Sequence, residues 1–360
     1  MDAHAAVAGA IDAIRPPDDE SRDAALALQA ALTKPAGALG RLEELHAWAA
    51  GVFRDPAPAV EQRIIVVAAA DHGVAADGVS AYPQAVTAQM VRNFVSGGAA
   101  VNVLARQAGA HVRIVDAGVI EDVAGARVHA AWVRRGSGNM TREQAMARDD
   151  ALTLVARGIV FAREVCAAGR TIVGLGDMGI GNTTAAAAIT SVMTGAPPRA
   201  CTGRGTGIDD AAFAAKADAI ERAIGLHRPD PLDPVGVLAA VGGCEIAFLA
   251  GVSIGAVGAG AAVLLDGYPT TAAALVAAAL APASSAYMLA SHLSAEPGHA
   301  LALGHLGLRP LLQLDMRLGE GTGAALAMPL LDAALRIPRE MATFDSAGVA
   351  RSAREARPET

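Results

Sequence analysis

Aromatic residues make up 3% of this 360-residue chain, so Ala, Val, Leu and Gly must fill its core. Small side chains let helices approach a sheet closely. Lysine is nearly missing: Lys34 and Lys216 stand against 27 arginines among the 29 basic residues. That bias is compositional, and it singles out both lysines for inspection. No basic run exists and the net charge is −7, which argues against nucleic acid as a main partner. Cys166, Cys201 and Cys244 have neither CxxC nor zinc spacing and fit a reduced, cytoplasmic compartment. The opening Met1-Asp-Ala-His lacks the basic and apolar regions of a signal peptide. One stretch, Ile246 to Leu265, runs for twenty residues without charge, long enough to span a bilayer. Gly251, Gly255, Gly258 and Gly260 interrupt it, so it reads as a helix entering a buried strand, and no membrane is expected. Neither a GxSxG elbow nor a GxxxxGK[ST] loop is found.

What is present is glycine in clusters. Thr171-Ile-Val-Gly-Leu-Gly-Asp-Met-Gly-Ile-Gly-Asn-Thr-Thr184 joins a β-branched run to an alanine-rich helix over 185–190. Thr202-Gly-Arg-Gly-Thr-Gly-Ile-Asp-Asp210 follows it. Glycines admit a ligand to the backbone, and a helix N-terminus offers free N–H groups to an anion. Two such loops point to a phosphorylated small molecule.

Apolar spacing predicts helices over Asp18–Leu32 and Gly40–Val52, joined by the Pro- and Gly-containing loop 33–40. From residue 63 the pattern changes to buried runs that end in an acid: Ile64 to Asp71, His111 to Gly118, Thr171 to Asp177 and Ala261 to Gly267. Val237 to Gly243 is either a fifth such run or the start of a helix. Strand-like runs alternating with helical stretches predict an α/β fold, a doubly wound, mostly parallel Rossmann-like sheet over 55–290. Residues 1–54 and 291–360 are expected to form a second, smaller helical domain. Asp71, Asp116, Asp177 and Asp266 should mark the carboxyl edge, where such sheets bind ligands.

Gly174-Leu-Gly-Asp-Met-Gly179 matches the dinucleotide pattern GxGxxG, yet no acid lies between Asp177 and Asp209 to hold a ribose hydroxyl. A mononucleotide or sugar phosphate fits better. Residues 202–207 form a candidate phosphate nest, with Arg204 or Lys216 supplying charge. Lys216, about two helical turns into 209–222, reads first as a solvated helix lysine, and the rarity of lysine here raises the functional reading only slightly. Leu314 to Ala324 holds Glu320 between two glycines before another helix start. That acid is either a partner of the helix dipole or a general base raised by apolar neighbours such as Leu318. Asp71-His72-Gly73 pairs an acid with an imidazole, but successive side chains on a strand point apart, so a structural role is expected. His292, His299 and His305 lack zinc spacing.

Taken together, these segments resemble one family, the nicotinate-nucleotide–dimethylbenzimidazole phosphoribosyltransferases. The resemblance runs from Thr33 to about Leu330. It is carried by Thr33 to Glu43, Ala70-Asp-His-Gly-Val74, Gly78 to Gln84, Gly176 to Thr184, Gly203 to Gly207, Ser294 to His299 and Met316 to Gly323. It implies transfer of phosphoribose from nicotinate mononucleotide to 5,6-dimethylbenzimidazole, giving α-ribazole 5′-phosphate and nicotinate, in assembly of the cobalamin lower ligand. It implies Glu320 as general base, with no metal and no cofactor. It places the base near Ser80, Gln89, Met178 and Leu318. Asp177, Asn182 and Arg204 join them as substrate-binding positions. The phosphate is assigned to Gly179, Gly181, Gly205, Thr206 and Gly207, with Lys216 nearby, in a homodimer that completes each site. Two departures stand out: the family usually has Glu where this chain has Asp177, and Pro and Ser where it has Ala36 and Ala38. Two rival readings are an NAD(P)-dependent oxidoreductase, from the 174–179 glycines, and a non-catalytic azole or nucleotide carrier.

Overall fold

A computed structural model of the protein describes residues 2–205 and 207–351. The N-terminal segment holds α1 (Ala3–Asp12), α2 (Asp19–Ala31) and α3 (Arg41–Phe53). Asp18 caps α2 by accepting the Ser21 N–H at 2.9 Å. Strand β1 (Gln62–Ala70) leads through α4 (Val86–Ser96) and α5 (Ala100–Ala108) to β2 (His111–Gly118). The short β3 (Val128–Ala130) precedes α6 (Arg148–Val165) and β4 (Thr171–Met178). Then come α7 (Asn182–Thr194), α8 (Pro198–Cys201), α9 (Asp210–His227), α10 (Pro234–Val241) and α11 (Cys244–Gly258). Strand β5 (Ala262–Leu265), α12 (Tyr268–Leu280) and β6 (Met288–Ala290) complete the sheet. The chain continues as α13 (Pro297–Leu306), α14 (Thr322–Glu340) and α15 (Phe344–Ala347).

The six strands are parallel in the order β3-β2-β1-β4-β5-β6. This is the doubly wound Rossmann order, and its switch point falls between β1 and β4. Asp177 lies there, in register with Ala68 of β1. Residues 64–70 are fully or almost fully buried, as expected for a strand covered on both faces.

Two expectations from sequence are refined. Val237 to Gly243 takes its helical alternative, as α10 behind the Asp233 cap. Strands β3 and β6 escaped sequence reading because three residues carry too little periodicity. The uncharged stretch 246–265 divides into α11 and β5, both buried in the core. Its glycines have a packing cause: a Cβ on Gly251 would lie 2.0 Å from the Val155 carbonyl oxygen, and one on Gly158 would lie 2.1 Å from that of Phe248. The backbones of α6 and α11 therefore meet directly. Among the described residues, no helix is long and apolar enough to cross a membrane.

The chain ends return to the sheet. Helix α14 packs on α3, α5 and β4, and Leu32 pairs with Thr343 across an isolated bridge.

Candidate active site

A cavity of about 390 Å³ opens at the carboxyl ends of β4 and β5, beside the switch point. Its walls come from the segment after β1 (Val79, Ser80, Tyr82), α4 (Val86, Met90), the turn from β4 into α7 (Asp177 to Thr183), Gly205, the start of α12, and the loops carrying His292 to Glu296 and Arg317 to Glu320. A groove of about 730 Å³ lies at the opposite, amino-terminal end of β2, and its walls hold none of the sequence-predicted site residues.

Of those residues, Ser80, Asp177, Met178, Gly179, Gly181, Asn182, Gly205, Leu318 and Glu320 line the one cavity, although 240 residues separate the first from the last. Gln89 is exposed on α4, whose Val86 and Met90 face the cavity instead. Arg204 turns to Asp210, the Ile208 carbonyl (2.9 Å) and the Phe213 ring, away from the cavity wall. Gly207 is off the wall, with φ +98°, and Thr206 lies outside the described residues.

Lys216 is not the solvated lysine that one reading allowed; it is fully buried. Its Nζ donates to Thr183 Oγ1 at 2.8 Å and to the Gly203 carbonyl at 3.1 Å, one layer behind the cavity. Burial pushes its pKa down to about 8, opposed by the charge of Glu296. Glu296 lines the cavity and accepts the Gly205 N–H at 2.7 Å, while Arg317 donates to the Gly205 carbonyl at 2.9 Å. Gly205 is thus gripped on both sides of its peptide. Sequence reading missed these two roles; the signal was the presence of both residues in the Ser294–His299 and Met316–Gly323 segments.

Asp177 and Glu320 form the acidic side. Asp177 is buried, and its Oδ2 accepts from Asn182 Nδ2 at 2.8 Å while Oδ1 has no partner. Burial raises its pKa well above the usual carboxylate value, and Asp266, Glu245 and Glu320 add repulsion. Glu320 is 5% exposed, and its Oε2 also lacks a partner. Burial raises its pKa too, opposed by the Val101 N–H at the start of α5.

The local sequence dictates this placement. Gly319, Glu320 and Gly321 have φ of +83°, +64° and +89°, a left-handed turn in which Glu320 is the strained member. Asp266, directly after β5, accepts the N–H groups of Gly321 (3.0 Å), Gly323 (2.6 Å) and Ala324 (3.2 Å). It thereby anchors the start of α14. The strand-end acids therefore divide: Asp177 lines the cavity, while Asp71, Asp116 and Asp266 hold backbone N–H groups.

The GxGxxG match is not a dinucleotide turn. Gly174 and Gly176 lie inside β4, where a Cβ would sit 3.0 Å from Ala324 Cβ and 2.6 Å from the Glu320 carbonyl oxygen, respectively. Those glycines make room for α14 and its entry loop. His292 and His299 are buried with rings 6.0 Å apart, and burial lowers their pKa values to about 4 and about 3. Among the described residues, no group of His, Cys, Asp and Glu is disposed to hold a metal ion.

A Rossmann-ordered sheet with a glycine-rich turn at a helix N-terminus, faced across a cleft by a carboxylate with one oxygen unpartnered, defines an α/β group-transfer enzyme. The family model described as Phosphoribosyltransferase matches residues 14–349, and the chain belongs to that family. It is 51% identical to the nicotinate-nucleotide–dimethylbenzimidazole phosphoribosyltransferase of Chloroflexus aggregans, over 94% of this chain and 96% of that one. The protein of the same name from Salinispora tropica is 49% identical, over 94% and 97%. The crystal structure of the Thermus thermophilus protein superposes with a TM-score of 0.88 at 45% identity, covering 93% of this chain and 100% of that one.

Proposed function

We infer that the chain transfers phosphoribose from nicotinate mononucleotide to 5,6-dimethylbenzimidazole, releasing nicotinate and α-ribazole 5′-phosphate for the cobalamin lower ligand. The observation that carries this reading is the buried Glu320 carboxylate, with one oxygen free, across a cavity from the N-terminus of α7. The identity near 50% along almost the whole chain supports the substrate pair.

In this reading the phosphate rests on the Gly179–Asn182 turn and Gly205, with Lys216 behind and Arg317 beside them. The acceptor ring lies between Met178, Met90 and Leu318, with Ser80 at its rim. One benzimidazole nitrogen attacks ribose C1′ while the bond from C1′ to the pyridinium nitrogen breaks. The bonding pair returns to nicotinate, which leaves without needing a proton. Glu320 takes the hydrogen from the acceptor's other nitrogen as positive charge develops there. Attack opposite the departing ring turns a β-linked donor into an α-linked product.

We also propose a cytoplasmic homodimer, in which residues 1–54 and 291–360 form a helical cap; residues 1 and 352–360 of that span lie outside the described residues. Tyr82 and Leu318, at the cavity mouth, are 55% and 57% exposed, and a second copy would cover them. Three buried free cysteines suit a reducing compartment. The transfer is tested by incubating the protein with both substrates and following nicotinate release. The expected result is release that requires both the protein and the acceptor. Slow, acceptor-independent loss of nicotinate, or none, overturns the reading.

A further inference from the structure

Beneath the glycine turn lies a polar pair that does not reach the cavity. His72, two residues beyond β1, and Glu245, in the first turn of α11, are 1% and 0% exposed. Their side chains meet at 2.7 Å, His72 Nε2 to Glu245 Oε1. The imidazole occupies a slot made by three glycines. A Cβ on Gly243 would lie 2.3 Å from Cε1, one on Gly179 would lie 3.2 Å from Cδ2, and one on Gly181 would lie 3.4 Å from the His72 Cβ. Gly179 and Gly181 also line the cavity, so a single layer of backbone separates His72 from any ligand there.

Two fully buried ionisable groups are costly to keep, and apolar residues of similar volume often replace such a pair at no loss of stability. A core-filling role therefore explains the pair poorly. The charged groups facing it are acidic: Asp71 on its own segment, Glu245 on α11, and Asp177 on β4, whose charge couples to Glu245. Burial works against the imidazolium, but Glu245 and Asp71 outweigh it and raise the His72 pKa. The neighbouring carboxylates thus favour the imidazolium of His72, below a turn whose upper face suits an anion.

We propose that His72 is a positioning residue for the donor phosphate: held by Glu245, it props the Gly179–Gly181 turn from below and supplies the positive charge under it. This rests on the phosphate site proposed above. It also gives the glycine at 179 a second reason to exist, since a Cβ there would lie 2.5 Å from the Ala70 carbonyl and 3.2 Å from the His72 ring.

The test compares nicotinate mononucleotide with nicotinate riboside, which lacks the phosphate, as ligands of wild-type protein and of His72→Gln and Glu245→Gln. The expected result is that each variant weakens mononucleotide binding about tenfold or more, leaves riboside binding within about twofold, and raises KM for the mononucleotide more than it lowers kcat. In the wild type, the His72 ring resonance should shift on adding mononucleotide and stay put on adding riboside; this readout stands if a variant fails to fold. Equal losses for both ligands, no loss, or a ring signal blind to the phosphate overturns the proposal. A wild-type protein that releases no nicotinate overturns the functional reading instead, and the binding comparison still reports on His72.

Discussion

Glu320 donates its backbone N–H to the carbonyl of Asp177 at 3.2 Å, so the two acids of the cavity are tied to each other through main chain. One comes from the end of β4 and the other from the entry to α14, 143 residues later. The charge of Glu320 adds to the repulsion that raises the Asp177 pKa, behind burial and the charges of Asp266 and Glu245. Each has a buried oxygen without a partner and a raised pKa.

Glu320→Gln is expected to reduce kcat by about 10²- to 10⁴-fold, the usual worth of a positioned base. KM for the mononucleotide should change little. A carboxyl whose folded pKa is raised costs stability as pH climbs from its ordinary value through the raised one. The glutamine variant should therefore unfold at the same or a higher temperature than wild type, with a gap that widens with pH. Calorimetry and steady-state kinetics on one preparation check both halves.

The pH–rate profile should have two limbs with separate causes. On the acid side kcat/KM rises as Glu320 loses its proton, above the ordinary glutamate range because burial raises that pKa. On the alkaline side KM for the mononucleotide rises above about 8, where Lys216 loses its charge. Lys216→Met, which fills the buried slot without charge, should abolish the alkaline limb and weaken mononucleotide binding about tenfold to a hundredfold. Acceptor KM should be unaffected, while the Thr183 hydroxyl and Gly203 carbonyl left without their donor should cost about 1–3 kcal/mol of stability.

Gly176→Ala should act on Glu320 without touching substrate. The added methyl would sit 2.6 Å from the Glu320 carbonyl oxygen and 2.7 Å from the Gly321 nitrogen, so the loop must move. Overpacking of this kind costs about 1–3 kcal/mol. The loss in kcat should exceed the change in KM. Gly225→Ala is the control: it lies in α9 with no atom within 4 Å of a new Cβ, and it should stabilise by about 0.5–1 kcal/mol.

Asp266→Ala removes the acceptor of three N–H groups at the start of α14. Leaving buried donors unsatisfied costs about 1–3 kcal/mol each at most, so a loss of several kcal/mol in stability is expected together with most of the activity. Asp266→Asn, which keeps one accepting oxygen, should recover part of both. Denaturant unfolding alongside nicotinate release measures the pair.

Much of this was legible in the chain. Strands β1, β2, β4 and β5 follow from four apolar runs that end at acids, because a strand covered on both faces has no polar side to display. Helices α2 and α9 begin at Asp18 and Asp209, whose side chains cap them. Glu320 stood out as an acid between glycines, and the structure shows why the glycines are there: the turn is left-handed through all three residues. Other features were not legible. Nothing local distinguishes Asp177 from Asp266, since both end buried runs. Asp266 spends its oxygens on the N–H groups of α14, whereas Asp177 keeps one oxygen unpaired.

The sequence by itself determined the alternation of elements and the positions where backbone must turn left-handed or approach closely, because those properties reside in single residues and their spacing. Only the tertiary structure decided the burial of Lys216, the exposure of Gln89, and the grip of Glu296 and Arg317 on Gly205. Those outcomes depend on contacts between segments that only the fold brings together: Glu296 and Arg317 lie 91 and 112 residues from Gly205, and Lys216 lies 33 from Thr183, so none of these partners marks the local spacing.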